Sequence, residues 1–406
     1  MIHVYLLNPT EILCDSPRTA RFVRALADDP NVEISTIGLG DGLDTPGAHL
    51  SIGDTGQMTV MARVLRIGRV MLFVLSALLR VHWLTRLLHS PNRKMPSNLI
   101  NRRRIRKFIS SHDSHVVIAR DIMAVPLISG IVFSDRVWID LPDLTEEVAQ
   151  LRLVQRLLFG AYFRWLTRCL SQTASQFSTV SDSLADEFKQ RHTIHCTVVR
   201  NSCPYREPTT LPSRTNSEAA CESSPMRLVY VGAAIASKSI VNCLDAIREL
   251  GPAFQLDLFL VPTDFSYYCE LKQQVGNLPN ALIRKPVIPE NLVDVLREYD
   301  AALVIIPASS INSACTLPNK FFQSVQARLP IITGPSREMA KLVDCYQIGE
   351  VAESFKPIHI ANACRRLTSR RIAECEVNLE TAARKLSDDD DLNTIRLQVS
   401  QLFRSI

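Results

Sequence analysis

Short apolar runs alternate with longer amphipathic stretches through most of the chain. The first unit predicts a strand over Met1 to Leu7, a helix over Pro17 to Asp29 and a second strand over Val32 to Ile37. Because parallel neighbouring strands need a crossover of this length, the pattern favours parallel sheets covered by helices. We therefore predict an α/β fold.

The alternation is interrupted at residues 202–225, which are rich in Ser, Thr and Pro, a composition typical of a linker. We predict Rossmann-like domains over residues 1–201 and 226–375 that face a central cleft, followed by a C-terminal helical segment over residues 376–406. The length of 406 residues suits two domains. Four shorter predictions are a loop over Gly38 to Gly56, a helix near Ile122 to Phe133, a helix over Phe265 to Gly276 and a solvated break over Asp388 to Asp391.

Composition limits the class of protein. A hydrophobic content of 46% argues against wholesale disorder. The 11 cysteines are odd in number, scattered and without a zinc-binding spacing, so we interpret them as reduced thiols of a cytosolic protein. The N-terminus lacks the basic and apolar regions of a signal peptide and is predicted to be a strand.

Residues 55–112 contain no acidic residue and carry a series of basic ones. These are Arg63, Arg66, Arg69, Arg80, Arg86, Arg93, Lys94, Arg102, Arg103, Arg104, Arg106 and Lys107. The apolar run Val70 to Leu79 is far shorter than the roughly 20 residues that span a bilayer. We predict an amphipathic segment that faces an anionic membrane surface, the alternative being a core helix whose arginines face solvent. Nucleic acid is not the predicted partner, because residues 92–107 lack a set of stacking aromatics.

The second domain contains a candidate phosphate site. Gly232 ends a predicted strand, and ligands of Rossmann-like sheets bind at the carboxyl ends of strands. A glycine permits close approach of a ligand to the backbone, and Lys238 follows within reach of a diphosphate. The alternative is a turn glycine followed by a surface lysine.

The stretch Leu317 to Thr333 predicts a turn, a helix and a buried strand. Pro318 suits the first turn of a helix, because a proline there loses no hydrogen bond. The N–H groups that follow form a positive end where an anion can bind. Lys320 stands at that end.

Residues 284–349 resemble the nucleotide-sugar half of retaining GT-B glycosyltransferases of the group-one class, family four, in a subgroup with a Pro-Asn-Lys turn. The matching residues are Pro318, Asn319, Lys320, Phe321, Ala327, Pro330, Glu338 and Gly349. The first half is similar more loosely, through Asp15, Arg18, Asp121, the segment IDLPDLTEE and the segment VVRN.

The resemblance implies transfer of a sugar, with retention, from a nucleoside-diphosphate-sugar to a lipid-linked or glycan acceptor at the cytoplasmic face of a membrane, by a peripheral protein. The predicted catalytic residues are Lys238 and Lys320 for the charge of the departing diphosphate, with Asp140 and Asp143 for the acceptor hydroxyl. The predicted donor-binding residues are Gly232, Pro318, Asn319, Gln323 and Glu338. The sugar nucleotide is a co-substrate. No other cofactor and no metal is expected, because a D-x-D pattern in a suitable loop is missing.

Several positions depart from the family pattern, and three of them discriminate between the possible functions. Gln323 replaces the glutamate that holds the ribose, Ala233 replaces an arginine, and Pro142 replaces a histidine. An alternative function is therefore a degenerate, non-catalytic relative that binds a nucleotide sugar or a partner enzyme. Two further alternatives are that Asp140 and Asp143 only cap a helix, and that the chain is a basic scaffold for polyanions.

Overall fold

A computed structural model describes residues 2–13, 16–53, 60–89, 98–112, 114–144, 153–208, 224–236 and 239–404. Within these ranges, the side chains of residues 60–66 and 153–158 are not described. The chain forms two compact units, one of Met1–Val199 with Asp390–Ile406 and the other of Arg200–Asp389. Most of the predicted linker, residues 209–223, lies outside the described residues.

The first unit is built on a seven-stranded sheet in which all strand pairs are parallel. Its strands are β1 (Ile2–Ile12), β2 (Val32–Leu39), β3 (His49–Ser51), β4 (His115–Arg120), β5 (Val137–Asp140), β6 (Gln176–Thr179) and β7 (Thr197–Val198). The strand order is β3-β2-β1-β4-β5-β6-β7. Central strands such as Val4 to Leu7 are buried throughout, as expected for a sheet covered on both faces.

The crossovers of the first unit are helical. The helices are α1 (Pro17–Leu26), α2 (Val60–Leu78), α3 (His82–Leu88), α4 (Asn98–Ile109), α5 (Val125–Ile128), α6 (Leu153–Arg168), α7 (Leu170–Thr173) and α8 (Asp182–His192). The start of α1 follows from its sequence, because the hydroxyl of Ser16 accepts from the Thr19 N–H and Pro17 occupies the first turn.

The second unit contains a six-stranded parallel sheet in the order β10-β9-β8-β11-β12-β13. Its strands are β8 (Met226–Ala233), β9 (Phe254–Val261), β10 (Ala281–Arg284), β11 (Ala301–Val304), β12 (Ile331–Thr333) and β13 (Gly349–Val351). Its helices are α9 (Ile240–Leu250), α10 (Phe265–Gly276), α11 (Leu292–Leu296), α12 (Ile311–Ala314), α13 (Asn319–Gln326), α14 (Arg337–Tyr346), α15 (Pro357–Arg366) and α16 (Ser369–Lys385). The prediction of an α/β fold with two Rossmann-like sheets is confirmed.

The last helix, α17 (Asp389–Arg404), packs on the first unit. Its residues Ile395, Val399 and Leu402 are buried in the core beside β1 and β4. The predicted C-terminal segment is thus divided between the two units, with α16 in the second.

Three local predictions were wrong. Asp388 and Asp391 are buried rather than solvated, and the Asp388 N–H donates to the Cys203 carbonyl at 3.2 Å. The predicted loop at residues 38–56 contains β3, because its short pairing with β2 does not need a long apolar run. The helix predicted near Ile122 to Phe133 ends at Ile128.

Candidate functional site

The strand order of each sheet reverses beside its first strand, which is where ligands bind in open α/β sheets. In the second unit this point lies between β8 and β11, and Gly232 is the penultimate residue of β8. A Cβ atom added at Gly232 would lie 3.5 Å from Nζ of Lys320. The fold therefore brings two predicted site residues together that are far apart in sequence.

Tyr230 holds Lys320 at this position. The Lys320 ammonium lies 4.2 Å from the centroid of the Tyr230 ring, a cation–π contact that contributes about 0.5–2 kcal/mol. Tyr230 is fully buried, and burial raises the pKa of its hydroxyl well above the ordinary value. The ring is consequently a neutral, fixed support for the cation.

Helix α13 presents the remaining donor-side candidates. Pro318 precedes its first residue, Asn319, and provides no side-chain cap for this N-terminus. Lys320 and Gln323 are three residues apart and so share a face of the helix. Buried Phe321 anchors the opposite side.

The other predicted donor residues have different surroundings. Glu338 lies in the first turn of α14 and is only 2% exposed. Ala233 is the last residue of β8. Lys238 lies outside the described residues. The ligand contacts assigned to Glu338 and Lys238 remain predictions.

In the first unit, Asp140 forms a buried ion pair with Arg18. Nε of Arg18 donates to Oδ2 at 2.5 Å, and Nη2 donates to Oδ1 at 2.6 Å. The Ser178 hydroxyl also donates to Oδ1, at 2.7 Å. Burial alone would raise the pKa of Asp140, but the charge and hydrogen bonds of Arg18 outweigh it and lower the pKa. Both carboxylate oxygens are occupied by protein partners.

Asp121 follows β4, next to the end of β5, and has an unusual backbone. Its φ of 69° with a ψ of 152° is a combination that residues with a side chain rarely adopt, at a cost of about 1–3 kcal/mol. The conformation is held because the Asp121 N–H donates to the Asp140 carbonyl at 2.7 Å, and Oδ1 of Asp121 accepts from the Met123 N–H at 3.1 Å. Exposed Asp143 is close enough to interact with its charge.

Comparison with solved structures identifies the fold. The chain superposes on the sucrose-phosphate synthase of Thermosynechococcus elongatus with a TM-score of 0.70, at 10% identity and over 100% of both chains. The fold is GT-B. WaaG, a glycosyltransferase involved in lipopolysaccharide biosynthesis, gives a TM-score of 0.59 at 14% identity, over 97% of this chain and 99% of WaaG. The pneumococcal O-GlcNAc transferase GtfA, solved with UDP and GlcNAc, gives 0.54 at 13% identity, over 73% of this chain and 59% of GtfA. No family model and no curated protein matches the sequence.

The first unit contains polar residues near Asp140 that could not be assigned to the site from the sequence. The sequence indicates Asp121 and Arg18 only through the family resemblance, and it gives no signal for Arg120. Arg18, Arg120 and Asp140 line one small pocket. Apart from the family resemblance, the position of Asp121 directly after a strand is its one signal in the sequence, since its positive φ is held by the contact with Asp140.

The stability of the first unit, which contains Asp121, is expected to depend on pH. Burial raises the pKa of Asp121 from 3.8 to about 6, and Asp143 and Asp140 add to this rise. The folded unit therefore binds this proton more tightly than the unfolded chain does. Relative to Asp121→Asn, the wild-type free energy of unfolding should be highest below pH 4 and fall by up to about 3 kcal/mol as the pH rises through 6.

Urea unfolding of both proteins at one-unit intervals from pH 4 to pH 8 measures this difference. Asp135→Asn, at an exposed position of the same unit, controls for the loss of one surface carboxylate. A difference between wild type and Asp121→Asn that stays constant over this range would contradict the raised pKa.

Proposed function

We propose that the protein is a retaining glycosyltransferase that moves a sugar from a nucleoside-diphosphate-sugar to a lipid-linked or glycan acceptor at the cytoplasmic face of a membrane. The observation that carries the proposal is the Lys320 ammonium beside Gly232, at the switch point of the second sheet and at the N-terminus of α13. A fixed positive charge at such a point suits a departing diphosphate. The GT-B neighbours whose names describe sugar transfer support the same class of reaction.

The donor would be bound through its phosphates and its ribose. Lys320 and the backbone N–H groups at the start of α13 would stabilise the diphosphate as its bond to the sugar breaks. Gln323, one turn further along the helix, would bond the ribose hydroxyls through its amide. Because charge on the leaving group grows as the bond breaks, the lysine stabilises the transition state more than the bound donor.

On the acceptor side, Asp121 is a better candidate than Asp140. The oxygens of Asp140 are occupied by Arg18 and Ser178, whereas Asp121 is partly exposed and fixed in a strained conformation of the kind that clusters at functional sites. With a pKa of about 6, it is mostly ionised at pH 7 and can accept a hydrogen bond from an acceptor hydroxyl. Asp143 would contribute to the same negative region.

The stereochemical outcome tests the proposal directly. Proton NMR of the product formed from a donor of known anomeric configuration distinguishes retention from inversion. Retention is expected. A product with the opposite configuration would contradict the retaining mechanism while leaving sugar transfer intact.

A membrane contact is supported by the surface of α2. Its Phe73 packs against the rings of Phe159 and Tyr162, at centroid distances of 5.5 and 5.9 Å. The outward positions carry large apolar side chains that are more than 40% exposed, namely Ile67, Val70, Met71, Leu72, Leu75 and Leu78. Exposed Leu79 and Trp83 continue this surface into α3. Such a patch rarely faces water in a monomer, and a lipid surface would cover it.

Charge complementarity favours an anionic lipid surface. Helix α3 contacts both α2 and α4, and α4 exposes Arg103, Arg106 and Lys107. Arg102 is not counted in this basic surface, because its guanidinium donates to the carbonyls of Pro126 and Ser129 and so stabilises the fold. Among the described residues, no helix has both the length and the apolar character needed to cross a bilayer.

The double substitution Leu75→Asp with Leu79→Asp should lower binding to anionic vesicles at least tenfold, about 1.4 kcal/mol, because two apolar side chains no longer enter the interface. Arg103→Gln with Lys107→Gln should lower it by about thirtyfold at low salt, at about 1 kcal/mol per charge. Vesicle co-sedimentation measures both. Leu397→Asp, an exposed leucine on α17, is the matched control and should bind as wild type does. Equal binding of all four proteins would contradict the membrane contact.

A second candidate function is a non-catalytic relative that binds a nucleotide sugar. The observation that favours it is the neutral amide of Gln323 at the position where the resembled family has a carboxylate. This candidate predicts donor binding without release of nucleoside diphosphate in the presence of membrane extract.

A further inference from the structure

Five titratable side chains meet at the amino-terminal ends of the strands of the first sheet, at the edge opposite Asp121 and Asp140, namely those of His3, Tyr5, Glu33, His112 and His115. His3 of β1 is in register with Glu33 of β2 and with His115 of β4. Residues in register on parallel strands project from the same face, so the three side chains form one row across the sheet. Tyr5 begins the next row on the same face.

His112 adds a third imidazole beside this row. It lies in the turn between α4 and β4, and its ring stacks on that of His3 at a centroid distance of 3.6 Å and an interplanar angle of 13°. Nδ1 of His3 lies 3.3 Å from Oε2 of Glu33. His3, Glu33 and His112 each bring one potential ligand atom within 4.8 Å of the others.

Hydroxyl groups orient both imidazole rings. Nε2 of His3 is 3.0 Å from the Ser35 hydroxyl, which leaves Nδ1 directed toward Glu33. Nδ1 of His112 is 2.7 Å from the Tyr5 hydroxyl. In metal sites a histidine characteristically uses its second nitrogen in such a hydrogen bond, which fixes the ring for coordination.

We propose that His3, Glu33 and His112 bind a divalent transition-metal ion, with Zn²⁺ as the best match to two imidazoles and one carboxylate. His3 is buried, Glu33 is half-buried and His112 is exposed, so the ion enters from solvent. Bonds of about 2.0–2.2 Å require the exposed His112 ring to tilt out of the stack toward the ion while its Nδ1 keeps the hydrogen bond to Tyr5. Water completes the coordination.

The ion would link the turn after α4 to β1 and β2. It would therefore stabilise the first unit, because an ion that binds only the folded state shifts the unfolding equilibrium. The site lies at the opposite edge of the sheet from Asp121, so it is independent of the proposed sugar transfer.

The test uses the full chain purified without a polyhistidine tag. Zn²⁺ competition against a chromophoric chelator should give one ion per chain. His112→Ala and Glu33→Gln should each weaken binding at least tenfold, and Tyr5→Phe should weaken it by about 10–100-fold through the orientation of His112. His195→Ala removes an exposed histidine elsewhere in the unit and should bind as wild type does.

Thermal unfolding provides the second measurement. Zn²⁺ should raise the Tm of wild type and of His195→Ala and leave that of His112→Ala unchanged. Because His112 is exposed, the His112→Ala protein is expected to fold, and circular dichroism checks this. Equal Zn²⁺ affinity of wild type and His112→Ala would overturn the proposal.

Discussion

Lys320→Ala is expected to lower the kcat of sugar transfer by about 10²–10³-fold, the range found when one donor to a developing negative charge is removed. The ammonium lies beside Gly232 and over the ring of Tyr230, so it is positioned before the donor binds. Because the charge it faces develops mainly in the transition state, kcat should fall more than the affinity for the donor. Initial rates at saturating donor, with a separate binding isotherm, measure the two effects.

Lys272→Ala is the matched control for this substitution. Lys272 is an exposed lysine of α10, and its ammonium also lies over a tyrosine ring. The distance from Nζ to the centroid of the Tyr268 ring is 5.7 Å. It should leave kcat unchanged. Tyr230→Leu should reduce kcat by less than Lys320→Ala, because the lysine remains but its support is lost. Equal rates for Lys320→Ala and Lys272→Ala would remove Lys320 from the mechanism.

Asp140→Asn is expected to lower the free energy of unfolding by about 3–5 kcal/mol, because it leaves the buried Arg18 cation without its counter-charge. The pKa of Asp140 is held below its ordinary value of 3.8. The stabilising contribution is therefore fully present above pH 3.8 and is lost as the pH falls through the lower folded value. Denaturant unfolding at pH 7 measures the loss.

Two further variants separate a structural role of Asp140 from a catalytic one. Asp28→Asn removes a carboxylate that lies 3.8 Å from Arg396 in an exposed ion pair of the same unit, and it should cost at most about 1 kcal/mol. The double variant Arg18→Met with Asp140→Leu should recover much of the stability that Asp140→Asn loses. If Asp140→Asn instead abolished activity at unchanged stability, Asp140 would contact the acceptor as the sequence predicted.

The parts of the fold that depend on local pattern could be predicted from the sequence. Helix α10 begins and ends at the predicted residues, Phe265 and Gly276, because its apolar spacing and its Asp264 cap are local signals. Strand β3 was missed, because a three-residue strand within a segment rich in Gly and Asp has no measurable period. The burial of Asp388 and Asp391 was missed for a different reason. Their charge predicted positions exposed to solvent, whereas tertiary contacts bury both side chains.

The candidate site also combines residues that a local pattern predicts with residues that only the fold brings together. Lys320 and Gly232 could each be selected from a local motif, although only the fold shows that they adjoin. Asp140 was selected as an acceptor contact, but its partner Arg18 lies 122 residues away in the chain and could not be assigned from spacing. Asp121 becomes a candidate only when its backbone conformation and burial are known.

Sugar transfer that depends on Lys320 is the most direct measurement of the proposed function. The experiment incubates wild type and Lys320→Ala with a panel of nucleoside-diphosphate-sugars and a membrane extract as acceptor, and it follows release of nucleoside diphosphate together with incorporation of labelled sugar. We predict that wild type releases the diphosphate in step with incorporation from at least one donor, and that Lys320→Ala is slower by about 10²–10³-fold. Donor binding by wild type without release or incorporation from any donor would contradict the proposed activity.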